Sequence, residues 1–192
     1  MKKLLRSIEA LKKSKVKKLV DARIKEFKSN KNLFSELCFC LLTANFHAER
    51  AIKIQNKLCN RFATFSQKQL AEQLKKLGHR FPNARANYIF EARKHKKIMQ
   101  DRDWLIKNIK GLGYKEASHF LRNIGHTNYA LVDFHIVDLL VRHKIIQRPK
   151  TITPKVYLQI ENKLAQIAKK TNLNQAQLDL YLWYMETGKV LK

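Results

Sequence analysis

Apolar residues recur at helical spacing along nearly the whole chain, and this periodicity constrains the fold more than any other feature. The clearest sets are Leu33, Leu37, Leu41 and Leu42; Leu70, Leu74 and Leu77; Val156, Ile160, Leu164 and Ile167; and Leu178, Leu182 and Met185. Residues three and four positions apart share one face of an α-helix, whereas a half-buried strand alternates. Only five glycines and three prolines punctuate the 192 residues, too few for an all-β fold. The sequence therefore predicts an all-α protein.

Signals for helix ends agree with this prediction. Ser66 and Gln69 have the spacing of a capping box before an apolar run. Thr153 followed by Pro154 supplies an N-cap and a proline at the first helical position. Gly188 stands where a glycine ends the last helix. No repeat, linker or low-complexity segment interrupts the pattern.

The charge balance points to a polyanionic partner. Forty Lys and Arg residues against fifteen Asp and Glu give a formal net charge of +25, while 45% hydrophobic residues exclude a disordered basic tail. Residues 1–30 alone hold eleven basic and three acidic side chains. This excess is either the solvated face of an amphipathic helix or an arm, and contact with phosphates is the functional alternative.

No segment of the sequence resembles a membrane span. The longest nearly unbroken apolar stretch, residues 37–44, is far shorter than the roughly 18 residues that indicate a transmembrane helix. No targeting sequence opens the chain. We therefore expect a cytoplasmic protein, or a nuclear one if the source has a nucleus, that does not contact a membrane.

Three cysteines, Cys38, Cys40 and Cys59, form an odd set without a C-x-x-C pair. We expect buried, reduced thiols. A site with four cysteine ligands for zinc or an iron–sulfur cluster is impossible with three cysteines.

The sequence Gly111-Leu112-Gly113 joins two helical stretches within residues 105–121. The two glycines permit a tight turn, and Leu112 would fill the space between the helices. Backbone N–H groups at the start of the second helix would then form an anion site suited to a phosphate. An ordinary turn between helices is the alternative, since Gly-x-Gly alone is a weak signal.

This segment, with the small residue Ala117 where the helices pack closely, resembles the helix-hairpin-helix DNA-binding motif. Lys115 follows the hairpin by two residues, and Asp133 precedes another helix as its expected N-cap. A lysine and a carboxylate in this order resemble the helix-hairpin-helix DNA glycosylases. Alternatively, Lys115 contacts a phosphate or is merely exposed, and Asp133 is a cap without chemistry.

Three further segments resemble the second family of 8-oxoguanine DNA glycosylase/lyases, found in archaea and bacteria. They are residues 34–45, residues 78–89 with His-Arg-Phe-Pro, and the lysine-ended tail 182–192. The resemblance covers the chain from about residue 20. It implies a two-lobed helical fold with the active site in the cleft between lobes. One lobe is expected at residues 30–125, with the hairpin at 105–121, and the other at 1–29 plus 126–192.

The resemblance also implies an activity, a partner and a cofactor requirement. The activity is removal of 8-oxoguanine from double-stranded DNA by a monomer, followed by cleavage at the abasic site. The tail lacks the four-cysteine cluster of endonuclease III-like and adenine glycosylases, so no iron–sulfur cluster is expected. A monovalent cation at the hairpin is the one cofactor left open.

The same resemblance assigns catalytic roles to Lys115 and Asp133. Lys115 would attack C1′ of the flipped nucleotide as a neutral amine and form a Schiff base whose β-elimination nicks the strand. An ordinary lysine is almost wholly protonated at pH 7, so the site must favour the neutral amine. Asp133 would stabilise positive charge on the sugar and cap its helix, with proton transfer as a further possibility.

DNA contact and base recognition are assigned to the remaining residues. Asn45, at a helix end, would fill the hole left by the flipped base, and Arg80 with Phe81 would form a wedge. Gly111 and Gly113 of the hairpin would bind the phosphate backbone of the DNA. Phe81 could instead be a core aromatic under a loop.

The C-terminal segment is expected to read the base. Lys192 would hydrogen-bond the oxidised guanine and Trp183 would stack on it, although Trp183 could be core and Lys192 a frayed end. The tail after Gly188 has no apolar periodicity, so we expect the core not to require it.

Two other functions remain open from the sequence. One is a helix-hairpin-helix DNA-binding module without catalysis, and the other is a glycosylase for a different damaged or mismatched base. Lys115 is the discriminating feature, because most monofunctional glycosylases of this superfamily lack the hairpin lysine.

Overall fold

The computed structural model describes residues 1–192 and contains twelve α-helices and no strand, which confirms the all-α prediction. The helices are α1 (Lys2–Lys12), α2 (Val16–Ser29), α3 (Leu33–Thr43), α4 (Ala48–Leu58), α5 (Arg61–Thr64), α6 (Gln67–Lys76), α7 (Pro82–Ala92), α8 (Arg102–Asn108), α9 (Tyr114–Asn123), α10 (Phe134–Arg142), α11 (Pro154–Lys170) and α12 (Gln175–Thr187). None of them combines the length and apolar composition needed to cross a membrane.

The chain forms two compact units. Met1–Asn30 together with Arg122–Lys192 make one, which we call the terminal unit, and Lys31–Leu121 make the other, the central unit. Helix α9 begins in the central unit and ends in the terminal unit. The expectation that the active site lies in a cleft between two lobes stays a prediction.

The central unit is organised around α3. This helix is buried continuously from Glu36 to Thr43 and packs against α4 and α7, while α6 packs against α7. Its sequence is apolar on every side, which explains why it lies inside the unit. The buried Glu36 carboxylate accepts a hydrogen bond from Gln55 Nε2 at 3.4 Å.

The terminal unit is organised around α12, which packs against α1, α2, α10 and α11. One core cluster joins residues of α2 to residues of α12: Val16, Val20, Ile24, Phe27, Ala176, Leu180 and Tyr181. The end of α9 is held to α12 by a buried ion pair between Arg122 and Asp179. Arg122 also donates to Asn123 Oδ1, at 3.0 Å from Nε and 2.9 Å from Nη2.

The basic segment 1–30 is helical and packed, so the arm alternative is wrong. Leu4 and Ile8 of α1 and the apolar face of α2 are buried. The segment's three acidic residues all pair with neighbouring bases, through the pairs Glu9–Lys12, Asp21–Lys17 and Glu26–Arg23. Contact of the remaining basic side chains with phosphates stays a prediction.

The predicted helix ends are confirmed. Ser66 and Gln69 form a reciprocal capping box, with the Gln69 N–H donating to Ser66 Oγ at 3.2 Å. Thr153 Oγ1 accepts from the Val156 N–H at 3.3 Å. Gly188 ends α12 in the left-handed conformation with φ 69°.

The expectation of three buried thiols is wrong for Cys59. Cys38 and Cys40 are buried on α3, where burial raises the pKa of the Cys38 thiol far above its usual range. Cys59 is exposed because it follows the last residue of α4 as the C-cap, one position beyond the apolar helical pattern. It lies at φ 43° and ψ −120°, a backbone conformation that favours glycine.

Candidate active site and DNA-contact residues

The hairpin turn lies between α8 and α9 in the central unit. Ile109, the C-cap of α8, and Leu112 are both buried, as expected of an apolar residue between two packed helices. Ala117 on α9 is completely buried, as expected of a small residue at a close packing position. As in any α-helix, the first backbone N–H groups of α9 have no acceptor within the helix itself. The start of this helix is therefore suited to bind an anion.

Only one of the two hairpin glycines is required by the backbone. Gly111 has φ 92°, and a Cβ there would lie 2.8 Å from Tyr88 Cε2 and closer still to Cδ2. Gly113 has no such φ, and its added Cβ would meet Glu116 Oε2 at an ordinary 3.6 Å. The tight turn therefore requires a glycine at position 111 but not at position 113.

Lys115 is the second residue of α9. Its side chain is 27% exposed, so it is neither freely solvated nor part of the core. Nζ lies 3.8 Å from Glu116 Oε1, an ion pair longer than a hydrogen bond. The amine is thus held at the start of the helix that the hairpin turn opens.

Asn45 and Phe81 lie on two neighbouring segments of the central unit. Asn45 follows the C-cap of α3, is exposed and has φ 56°, a left-handed conformation that asparagine tolerates. Phe81 is the N-cap of α7 and is 36% exposed, which excludes the core alternative for this ring. The Arg80 guanidinium carbon lies 5.0 Å from the Phe81 ring centroid.

Asp133 is the N-cap of α10, as predicted. Its Oδ1 accepts from the Ile136 N–H at 3.0 Å. The extended segment before it is held by α11. Tyr157 Oη donates to the Ala130 carbonyl at 2.7 Å and accepts from the Val132 N–H at 3.3 Å, and Glu161 Oε1 accepts from the Ala130 N–H at 3.0 Å. These contacts fix the backbone from which the Asp133 carboxylate projects.

Trp183 lies on α12 and is only partly buried, with its ring edge-to-face against His135 at 5.2 Å between centroids. Its indole Nε1 is shielded from solvent without a hydrogen-bond partner. A buried donor without a partner is costly in a protein, so this indole has capacity to bind a polar group.

The C-terminal tail is not independent of the core. Val190 packs against the cluster formed by α2 and α12, and Lys192 is partly buried. The expectation that the core does not require the tail is therefore wrong at Val190. The absence of periodicity concealed this contact because a short tail can pack through a single side chain.

Sequence reasoning did not single out four residues that hold these elements. His79 and Arg85 bind the segment after α3, while Tyr157 and Glu161 hold the segment before Asp133. The only sequence signal for the burial of His79 and Arg85 is that they lie among apolar residues, and this signal is weak. Tyr157 and Glu161 share one helical face with a spacing of four, but nothing local indicates their partners.

Comparison with known proteins places these features in a family. A family model described as 8-oxoguanine DNA glycosylase matches residues 20–173. A protein of Korarchaeum cryptofilum named 8-oxoguanine DNA glycosylase/AP lyase is 48% identical, and the match covers 98% of each chain.

Solved structures give the same relationship. The structure of Methanocaldococcus jannaschii 8-oxoguanine glycosylase/lyase in complex with a 15mer DNA containing 8-oxoguanine matches with a TM-score of 0.95 and 48% identity, covering 98% of this chain and 99% of that one. A trapped endonuclease III–DNA covalent intermediate matches with a TM-score of 0.66 at 17% identity, over 88% and 84% of the two chains. The second match shows a shared fold, which confirms the expected helix-hairpin-helix glycosylase architecture.

Proposed function

This chain belongs to the 8-oxoguanine DNA glycosylase family, and we propose that it removes 8-oxoguanine from DNA and nicks the resulting abasic site through Lys115. The observation that carries this proposal is the placement of Lys115, half-buried in the first turn of α9 directly after the hairpin. A lysine nucleophile distinguishes a glycosylase with lyase activity from a DNA-binding hairpin alone.

The chemistry begins with loss of a proton from Lys115 Nζ, because only the neutral amine carries a lone pair for attack. Nζ bonds to C1′ while the C1′–N9 bond breaks. The electron pair of the C1′–N9 bond leaves with the base, which takes up a proton. The nitrogen then loses a proton, and its lone pair forms a C1′=N bond as the C1′–O4′ bond breaks and O4′ takes up a proton, which gives a protonated Schiff base. Removal of a C2′ proton then expels the 3′ phosphate by β-elimination, and water releases the lysine.

Asp133 supports this sequence by electrostatics. One carboxylate oxygen is occupied by the Ile136 N–H, so the carboxylate is oriented before any substrate arrives. A fixed negative charge stabilises the positive charge that develops on the sugar as the base departs. The three hydrogen bonds that join Tyr157 and Glu161 to segment 130–132 limit the movement of this charge.

DNA contacts follow from the central unit. Backbone N–H groups at the start of α9 bind a phosphate, with Gly111 shaping the turn and Gly113 leaving the approach open. Phe81, exposed beside Arg80, wedges into the stack, and Asn45 fills the space of the flipped nucleotide.

Base recognition belongs to the terminal unit. Trp183 stacks on the oxidised guanine, and Lys192 or its carboxylate hydrogen-bonds the base. The partly buried position of both residues supports this role, because neither is a core residue or a solvated end. The substrate is double-stranded DNA, the enzyme acts as a cytoplasmic monomer, and no iron–sulfur cluster takes part.

Borohydride trapping tests the proposal. Borohydride reduces a Schiff base to a stable amine, so the wild-type protein should become covalently linked to a duplex containing 8-oxoguanine. Lys115→Gln should bind this duplex but lose both the trapped complex and base release. Lys110→Gln, which removes an exposed lysine from the same hairpin, is the matched control and should still be trapped.

The other two functions give different results in this experiment. A binding module without catalysis gives no trapped complex with any duplex. A glycosylase for another base that uses Lys115 gives a trapped complex with an abasic duplex but does not release 8-oxoguanine, and one that does not use a lysine gives no trapped complex.

A further inference from the structure

Two short segments of the central unit carry the residues proposed to enter the DNA. One is the turn 44–46 after α3, which contains Asn45, and the other is the loop 78–81 before α7, which contains Phe81. Three side chains link the two segments to each other. The reaction proposed at Lys115 does not require these links.

Arg85 makes the most extensive link. It is only 8% exposed, and Nη2 donates to the Ala44 carbonyl at 2.6 Å. Its guanidinium carbon lies 5.7 Å from the Phe81 ring centroid and 5.5 Å from that of Tyr88. One buried cation therefore holds the peptide before Asn45 and the ring of Phe81 together.

His79 makes a second link between the same segments. Its Nδ1 accepts from the Phe81 N–H at 3.1 Å, which requires that Nδ1 be unprotonated. Nε2 then carries the proton and donates to the Leu42 carbonyl at 3.0 Å. The imidazole ring also packs against Phe46 of the turn, at 4.2 Å between centroids.

Arg50 of α4 adds a third link. Its Nη2 donates to the Gly78 carbonyl at 3.3 Å, and its guanidinium carbon lies 5.3 Å from the Phe46 ring centroid. The turn and the loop are thus joined at both ends of each segment.

We propose that Arg85 and His79 are positioning residues that bind the turn 44–46 and the loop 78–81 into one preorganised element, so that Asn45 and Phe81 enter the duplex together. This inference rests on the proposed function, because it takes DNA insertion by Asn45 and Phe81 as its starting point. It adds that the two insertions are a single event, set up before DNA is bound.

The physical reason is the cost of ordering. A flexible loop loses conformational entropy when it inserts into DNA, whereas an element already held in its bound geometry loses little. Asn45 at φ 56° keeps a sparsely populated backbone conformation, which the Arg85 bond to the preceding carbonyl helps to retain. If the two residues form one element, removing either side chain should remove most of the benefit of both.

A double-mutant cycle measures this coupling. The variants Asn45→Ala, Phe81→Ala and the double variant are compared for their preference for a duplex with a tetrahydrofuran abasic analogue over an undamaged duplex. The analogue has no leaving group at C1′, so binding is measured without chemistry. We expect each single change to reduce the preference about tenfold and the double change to reduce it little further, a coupling of about tenfold.

The same cycle in an Arg85→Met background decides the role of Arg85. We expect the coupling to fall below about twofold, because the two segments are no longer joined through the guanidinium. Arg93→Met is the matched control. Arg93 lies at the end of the same helix, donates to the Phe62 carbonyl at 2.8 Å and 2.6 Å, and lies 5.3 Å from the Phe90 ring. The Arg93→Met substitution should destabilise the fold but leave the coupling between Asn45 and Phe81 intact.

Several outcomes would overturn the inference. Additive effects of Asn45→Ala and Phe81→Ala in the wild type exclude a single element. Coupling that persists in Arg85→Met, or is equally lost in Arg93→Met, excludes a specific role for Arg85. If Arg85→Met does not fold, His79→Gln serves as the second background, with the same expected loss. Wild-type borohydride trapping tests the proposed function separately, so a failure of that function is distinguishable from a failure of this coupling.

Discussion

The ring of Tyr88 occupies the space that a side chain at Gly111 would need. Tyr88 belongs to α7 and also contacts the Arg85 guanidinium, so the hairpin turn is packed against the helix that follows Phe81. The shape of the proposed phosphate site therefore depends on a contact from another part of the central unit.

Replacement of the two hairpin glycines should have unequal effects. Gly111→Ala should cost at least about 1–3 kcal/mol from its left-handed φ and more from overlap with Tyr88, and should weaken binding to all DNA sequences alike. Gly113→Ala, which meets no close neighbour, is the control and should melt near the wild-type temperature. Thermal unfolding and duplex affinity measure both effects. Equal losses from the two substitutions would contradict the structural assignment of the turn.

Asp133→Asn should separate catalysis from helix capping. Asparagine is as good an N-cap as aspartate, so the melting temperature should stay close to that of the wild type. Base release should slow by about 10²-fold or more, because the negative charge is lost. Asp101→Asn is the matched control, since Asp101 caps α8 by accepting from the Trp104 N–H at 2.8 Å. Unchanged single-turnover excision by Asp133→Asn would leave capping as the whole role of this residue.

Deletion of Lys192 alone should impair 8-oxoguanine removal but not nicking of an abasic site. Lys115 and Asp133 act on the sugar, which an abasic site retains, whereas Lys192 is proposed to contact the base. Val190→Ala is the complementary variant. It removes a side chain that packs on the terminal-unit core, so it should lower the melting temperature and reduce both activities together. Loss of both activities on deletion of Lys192 would argue against base recognition.

The stability of the Phe81 loop should depend on pH through His79. Burial lowers the pKa of His79, and the neighbouring Arg85 and Arg50 add to this effect, while the bond to the Leu42 carbonyl opposes it. The folded protein therefore holds His79 neutral, and this contribution to stability is full above the ordinary histidine pKa of about 6.5 and declines as the pH falls below it. The difference in melting temperature between the wild type and His79→Gln should thus be larger at neutral pH than at acidic pH. A constant difference across that range would exclude titration of this residue.

Cys59→Gly should stabilise the protein. The backbone at Cys59 costs about 1–3 kcal/mol for a residue with a Cβ, whereas the extra chain entropy of glycine costs only about 0.5–1 kcal/mol. The net gain of about 1 kcal/mol corresponds to a rise in melting temperature of roughly 2–4 °C. Asn172→Gly is the control: Asn172 has φ 50°, a conformation that asparagine already tolerates, so little gain is expected. A lower melting temperature for Cys59→Gly would contradict the strain at this position.

The features that the sequence predicted correctly are those with local signals. The reciprocal cap of Ser66 and Gln69, the N-cap at Asp133 and the end of α12 at Gly188 each depend on residues within four positions. Lys115 lies at the start of α9, as its short distance along the chain from the hairpin glycines predicted, while its catalytic role stays a prediction.

The features that escaped prediction depend on distant partners. Arg85 binds a carbonyl 41 positions away, and Tyr157 binds one 27 positions away. Val190 packs on α2 and α12 through tertiary structure alone. Cys59 was expected to be buried because cysteine is usually buried, but its exposure depends on where α4 ends.

The terminal unit is built from both ends of the chain, and this has a consequence for the order of folding during synthesis. The apolar faces of α1 and α2 leave the ribosome before the central unit, whereas their partners on α12 are translated after it. The central unit, encoded between them, can complete its own core while the first thirty residues still lack a docking surface. A chain truncated after residue 121 should therefore hold a protease-resistant middle and a protease-sensitive beginning, and the beginning becomes resistant only in a chain that includes α12.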